Sequence, residues 1–128
     1  MRNIWSDLPK PLVYLAPMSG VTNIAYRQIV KRFGVDILFP EFISTYALHY
    51  ASAKSLEMLR YDELERPIIA QIFGSEPALF KEAAEQMVAL GFDGVDINFG
   101  CPAPKVAKNG GGCALLGDLS RCRAIIEA

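Results

Sequence analysis

Short apolar runs alternate with longer amphipathic segments along the chain, and Gly, Pro and capping residues mark the joints. Met1 to Lys10, with Trp5 and two nearby prolines, reads as an irregular lead-in. Leu12 to Ala16 is apolar and stops at Pro17, which predicts a strand followed by a Met18-Ser19-Gly20-Val21-Thr22 loop. Thr22 or Asn23 can cap the next helix, whose predicted apolar face is Ile24, Tyr26, Ile29, Val30 and Phe33 and whose stop is Gly34. A second strand is predicted over Asp36 to Phe42, with Pro40 marking its end or a bulge, because proline removes a ladder donor. Ser44 through Arg60 reads as one helix rich in Ala and Leu. The clearest strand is Ile68 to Phe73, introduced by Arg66-Pro67 and closed by Gly74. Ser75 is the expected cap of a helix with Pro77 in its first turn, running to Leu90 and turning Ala83, Ala84, Met87, Val88 and Leu90 toward a sheet. Gly94 to Asn98 is a fourth strand, residues 103–112 look too rich in Gly and Pro to be regular, and Leu119 to Ala128 begins a fourth helix.

Strand starts near Leu12, Asp36, Pro67 and Gly94 recur about every 24 to 31 residues with a helix between each pair. Such β/α repetition demands a parallel sheet with right-handed crossovers. Composition agrees: 52% hydrophobic and 21% charged residues suit buried parallel strands. No apolar stretch approaches the roughly 20 residues a membrane span needs, and no signal pattern opens the chain, so a cytoplasmic location and no membrane partner are expected. A formal net charge of -1 argues against nucleic-acid contact through this segment alone. Three cysteines without a CxxC pair fit neither a disulfide framework nor a zinc site, and free thiols with no metal are the expectation.

Candidate chemistry collects where the fourth strand ends. Gly94-Val95-Asp96-Ile97-Asn98-Phe99-Gly100-Cys101-Pro102 places an amide and a thiol three residues apart, past the C-terminal end of a parallel strand, where α/β sites form. A free thiol is about 97% protonated at pH 7, which suits a general acid. A nucleophilic cysteine would want a basic partner, and the only histidine, His49, lies on another β/α unit and reads as a packing or surface residue. Cys113 and Cys122 have apolar or helical surroundings and read as structural. Gln71, an amide inside a buried strand, either satisfies nearby backbone or meets the edge of a heterocycle. Gly110-Gly111-Gly112 implies a mobile loop or a close backbone approach to a ligand. A phosphate loop is disfavoured because its Lys-Ser/Thr ending is missing.

Ala16-Pro17-Met18-Ser19-Gly20-Val21-Thr22-Asn23, Gln71-Ile72-Phe73-Gly74, Asp96-Ile97-Asn98-Phe99-Gly100-Cys101-Pro102, Lys105-Val106 and Gly110 to Leu116 together resemble the tRNA-dihydrouridine synthases. Leu119 departs from that family's usual proline, and Cys113 from its usual small residue. The resemblance implies an FMN-binding TIM (β/α)8 barrel, with residues 1–128 forming the N-terminal part of that single domain and roughly its first half. It further implies reduction of uridine to 5,6-dihydrouridine in tRNA, with NADPH as reductant. Cys101 would be the proton donor, Pro17, Met18 and Gln71 would contact FMN (the first two through backbone and thioether), and Asn98 and Lys105 would serve the substrate. Half a barrel leaves two open sheet edges, so the chain is expected either to continue in a longer protein or, folding alone, to self-associate through those edges or adopt an open sheet. A pyrimidine oxidoreductase acting on a free base, or a non-catalytic half-barrel, stays open as an alternative.

Overall fold

The computed structural model describes residues 4–8, 10–50 and 53–128. One device, used twice, sets the strand register. Gly34 and Gly91 take φ of 84° and 82°, a left-handed conformation that glycine adopts without strain. An apolar residue follows each, Val35 or Phe92, and packs into the core. Then Asp36 Oδ2 accepts from the Val13 N–H and Asp93 Oδ2 from the Ile68 N–H, both at 2.8 Å. The same aspartates donate their own N–H to Val13 and Ile68 carbonyls at 2.8 and 3.0 Å. Each Gly-apolar-Asp triplet thus ends one crossover and clamps the next strand to the start of its neighbour.

The sheet is parallel, in the order β1 (Ile43–Ser44), β2 (Ile69–Phe73), β3 (Gly94–Ile97). Parallel bridges from Leu38 to Ile68 and from Tyr14 to Ile37 carry it one strand position further. Four strand positions therefore run side by side in chain order, as in consecutive units of a β/α barrel. Between the pairs Leu38/Ile68 and Ile43/Ile72, the second strand takes one residue more than its neighbour, so the interruption at Pro40 is a bulge.

The helices are α1 (Ile4–Asp7), α2 (Ile24–Lys31), α3 (Thr45–His49), α4 (Ala53–Met58), α5 (Pro77–Ala89), α6 (Pro104–Ala107) and α7 (Leu119–Glu127). Two 3-10 turns, Glu63–Glu65 and Gly112–Gly117, join them. The outer core between sheet and helices contains Leu38, Ile68, Ile72, Phe80, Met87 and Ile125. A smaller inner cluster of Ile37, Phe39 and Ile69 is covered by Ile4 and Leu8.

Several expectations are corrected. The lead-in contains a helical turn, α1, and within the predicted helix from Ser44 to Arg60 one helix, α3, closes at His49 with Tyr50 as its C-cap and another, α4, runs over Ala53–Met58, residues 51–52 lying outside those described. Asn23 caps α2 through the Tyr26 N–H, but the buried residue of that helix is Arg27. Its ion pair with Glu65 fixes the rotation of α2, leaving Ile29 exposed and Phe33 84% exposed. In α5 the buried stripe is Phe80, Ala83 and Met87. Val88 lies about 100° round the helix from Met87 and is 67% exposed, and Leu90 is exposed as well. Glu76, not Ser75, holds the cap position of α5, and Ser75 is buried with its Cβ close to Gly110. Residues 103–112 hold a helical turn, α6, with Pro104 at its start. Leu115 is buried in the core, whereas its neighbour Leu116 is exposed.

Candidate functional site

Alternation along the strands divides the concave face into layers. Ile69 pairs with Gly94 and belongs to the apolar inner floor; two residues on, Gln71 pairs with Asp96. Polar side chains thus begin one layer above a hydrophobic floor, toward the strands' C-terminal ends. Asn98 follows two residues after Asp96 and is buried, with 9% exposure.

These side chains form one continuous hydrogen-bond chain. Gln71 Nε2 donates to Asp96 Oδ2 at 2.5 Å, and Asn98 Nδ2 donates to Gln71 Oε1 at 2.8 Å. Asn98 Oδ1 then accepts from the backbone N–H groups of Gly100 and Cys101 at 3.1 and 2.9 Å, forming an Asx-type turn. Gln71 is satisfied by side chains across the sheet and not by backbone, which resolves its place in a buried strand. Each amide keeps a second N–H with no acceptor among the described residues.

The glycine run has a different job from the one its composition suggests. Gly112 takes φ 58°, and a Cβ there would stand 2.4 Å from the Cys101 carbonyl oxygen and 2.9 Å from Val106. A Cβ on Gly111 would stand 3.0 Å from the Gly74 oxygen. The close approach is to the protein's own backbone, and the Cys113 N–H reaches the Cys101 carbonyl at 3.1 Å. Gly110 and Gly111 donate to Ala107 and Val106 carbonyls, so these N–H groups are not free for a phosphate. Cys101 is thereby held at both its N–H and its C=O, while its half-buried thiol is free and has no hydrogen-bond partner among the described residues.

Met18 sits in a second loop, closed by its own hydrogen bonds, that follows the strand position of Tyr14. Its N–H donates to Thr22 Oγ1, and its carbonyl accepts from the Thr22 hydroxyl, each at 3.1 Å, and from the N–H groups of Val21 and Thr22. The backbone of Met18, expected to face a ligand, is committed to Thr22, and its side chain is what remains exposed. Gly20 N–H donates to the Glu41 carboxylate. Behind the loop, Arg27 Nη1 donates to the Thr22 carbonyl at 2.7 Å, Nη2 to the Arg60 carbonyl at 2.7 Å, and Nε to Glu65 at 2.5 Å. The other Glu65 oxygen accepts from the Asp62 N–H at 2.9 Å.

Gln71, Asn98 and the Cys101 turn are brought together. Pro17 is half-buried beside Met18 on its separate loop, and Lys105 is exposed on α6 with no hydrogen bond or ion pair to the amide chain among the described residues. His49 Nδ1 lies 2.8 Å from Glu82 on α5, an exposed pairing. Cys122 Sγ donates to the Leu115 carbonyl at 3.0 Å, in keeping with a structural role. Among the described residues no group of three or more His, Cys, Asp or Glu side chains could hold a metal ion, and no helix is long and apolar enough to cross a membrane. Sequence reasoning did not single out Asp96, although a lone carboxylate between Val95 and Ile97, on the same strand face as Asn98, was its signal.

A family model described as dihydrouridine synthase (Dus) matches residues 14–128. A Helicobacter pylori protein named "Probable tRNA-dihydrouridine synthase" is 44% identical over 119 residues, covering 92% of this chain and 36% of that protein. "Probable tRNA-dihydrouridine synthase 2" of Bacillus subtilis is 39% identical over 130 residues, covering 99% of this chain and 38% of its own length. A Staphylococcus aureus protein, "Probable tRNA-dihydrouridine synthase", is 40% identical over 118 residues, with 90% and 36% covered. The chain spans little more than a third of the length of these relatives.

Proposed function

The chain belongs to the dihydrouridine synthase family, and from that premise we propose that it carries the proton-donating half of an enzyme that reduces uridine to 5,6-dihydrouridine in tRNA. The observation that carries this reading is Cys101: its backbone is pinned on both sides, and its thiol, at the strands' C-terminal rim, has no hydrogen-bond partner among the described residues. A protonated thiol so held can give its proton to C5 of a uracil ring. FMN, when bound and reduced, supplies the hydride that goes to C6, and NADPH is the reductant class that restores it. Hydride and proton together saturate the C5–C6 bond, and the thiolate left on Cys101 is reprotonated from solvent.

The donor set on the concave face suits such ligands. Gln71 and Asn98 keep one N–H each, and both sit beside the Gln71 carbonyl oxygen, a mixture of donors and acceptor that matches the imide edge of a flavin or a uracil. Gln71 is assigned to the flavin and Asn98 to the uracil. Pro17 and the Met18 side chain form an apolar contact for the flavin ring, and Lys105 reaches outward for the tRNA. A cytoplasmic location follows from the substrate.

The test uses protein expressed from the complete reading frame that contains these residues, supplied with FMN, NADPH and unmodified tRNA. Dihydrouridine is expected in the tRNA by mass spectrometry, and Cys101→Ala is expected to slow its formation by about 10²- to 10⁴-fold. Reduction of free uracil, or oxidation of dihydroorotate, with tRNA left untouched would replace this reading by that of a free-base oxidoreductase. The 128-residue chain alone is expected to bind FMN weakly and to turn over no tRNA, since a barrel of this kind builds its phosphate site after strands seven and eight. A stoichiometric yellow protein after gel filtration would overturn that expectation. Self-association of the isolated chain through its outer strands is read by light scattering, a monodisperse monomer being the contrary result.

A further inference from the structure

Two amides stand between fixed ends in the chain Asp96, Gln71, Asn98, Cys101. An amide side chain can be turned end for end with little change in shape, exchanging donor for acceptor, so its ends must tell it which way to face. At one end are the N–H groups of Gly100 and Cys101, which can only donate. At the other is the Asp96 carboxylate, which when ionised can only accept. With those two ends, a single arrangement satisfies every link: Asn98 oxygen to the turn, Asn98 nitrogen to Gln71 oxygen, Gln71 nitrogen to Asp96.

The geometry points to Asp96 as a positioning residue that fixes the polarity of this chain and, through Gln71 and Asn98, the placement of the Cys101 turn. The contact is built into the strand pairing, because Asp96 and Gln71 are direct partners across β3 and β2. Asp96 makes no hydrogen bond to the Cys101 turn itself and acts through two intermediaries. Its carboxylate also decides which groups the concave face presents: with Gln71 nitrogen held toward Asp96, the remaining N–H groups and the Gln71 oxygen keep fixed places. The importance of that face rests on the reading of Cys101 given above; the positional claim does not.

The experiment measures the alkylation rate of Cys101 by iodoacetamide in protein expressed from the complete reading frame, by peptide mass spectrometry, with Cys122 as reference in the same molecule. Side-chain amide signals of Gln71 and Asn98 and the backbone N–H of Cys101 are followed by ¹⁵N–¹H correlation spectra. Asp96→Leu, which removes the acceptor while keeping the bulk, is expected to change the Cys101 to Cys122 rate ratio by about fivefold or more and to move the Cys101 N–H signal. Asp96→Asn keeps one acceptor oxygen and is expected to return the ratio to within about twofold, with shifted or doubled Gln71 amide signals. An unchanged ratio and an unmoved Cys101 N–H in folded Asp96→Leu overturn the assignment. Where Asp96→Leu does not fold, Asp96→Asn decides: unshifted Gln71 and Asn98 amides overturn it, and shifted ones support it. Neither readout uses FMN, NADPH or tRNA, so a failed reductase assay and a failed positional test are distinguishable.

Discussion

Two polar networks hold two loops, and they do it in opposite ways. Arg27 and Glu65, each 1% exposed, anchor the Met18 to Thr22 loop from behind, with Arg27 bonding a carboxylate and two carbonyls. The Asp96 to Cys101 chain holds its loop from the concave face, and among the described residues each amide keeps a spare N–H and the thiol has no partner. A network built only for the fold directs its donors inward, since an unpaired buried polar group costs about 1–3 kcal/mol. Spare donors alone do not mark a site, since Arg27 bonds through only three of its five N–H groups. What separates the two networks is placement: Arg27 and Glu65 are sealed in the core, whereas Gln71 and Cys101 are only partly buried, on a face where a ligand or water can reach them.

The comparison can be broken by substitution, beginning with the largest effect. Arg27→Met strands the Glu65 carboxylate in the core and is expected to cost about 3–5 kcal/mol in urea unfolding, while Arg27→Met with Glu65→Leu recovers most of it. Cys101 reactivity should stay unchanged in the folded double variant; a large change would show that the networks are coupled. Gly112→Ala is expected to cost about 2–3 kcal/mol, the left-handed backbone accounting for roughly 1–2 of it and displacement of the Cys101 carbonyl for the rest. Asn98→Ala should cost less, about 1–2 kcal/mol, yet alter Cys101 alkylation more than any change at Arg27. Equal effects on stability and reactivity at both networks would erase the distinction.

The smallest expected effect is a pH dependence outside both networks. Asp118 caps α7, and bonds from Ser120 Oγ and the Arg121 N–H hold its carboxyl below the usual carboxylate range. A depressed folded-state value means that its contribution is present above the unfolded value and is lost as the pH falls through the folded one, below about pH 4. Asp118→Asn keeps the cap acceptor without titrating. Its melting temperature should therefore fall less between pH 5 and pH 3 than that of the unsubstituted chain, as followed by circular dichroism.

Much of this was legible in the sequence. Strand positions, the stop at Gly34, the interruption at Pro40 and the placement of Asn98 and Cys101 past a strand end all follow from local pattern. The errors share a cause. Apolar pattern alone turns Ile29, Phe33 and Val88 inward because it counts apolar residues alike, whereas which stripe faces the sheet depends on what lies opposite. Gly110 to Gly112 carried a correct signal, close approach, with the wrong neighbour, since sequence records that a Cβ is missing but not what occupies its place.

By itself the sequence determined the order of parallel β/α units and a thiol and an amide three residues apart, because backbone propensities and strand alternation act over a few residues. Its motifs, by resemblance, pointed to the family. Only the tertiary structure decided that Gln71 reaches across to Asp96 and Asn98, that Arg27 is buried, and that Gly112 seats the Cys101 carbonyl. Those contacts join residues far apart in the chain. They are fixed by strand register and helix rotation, which the packed core sets as a whole.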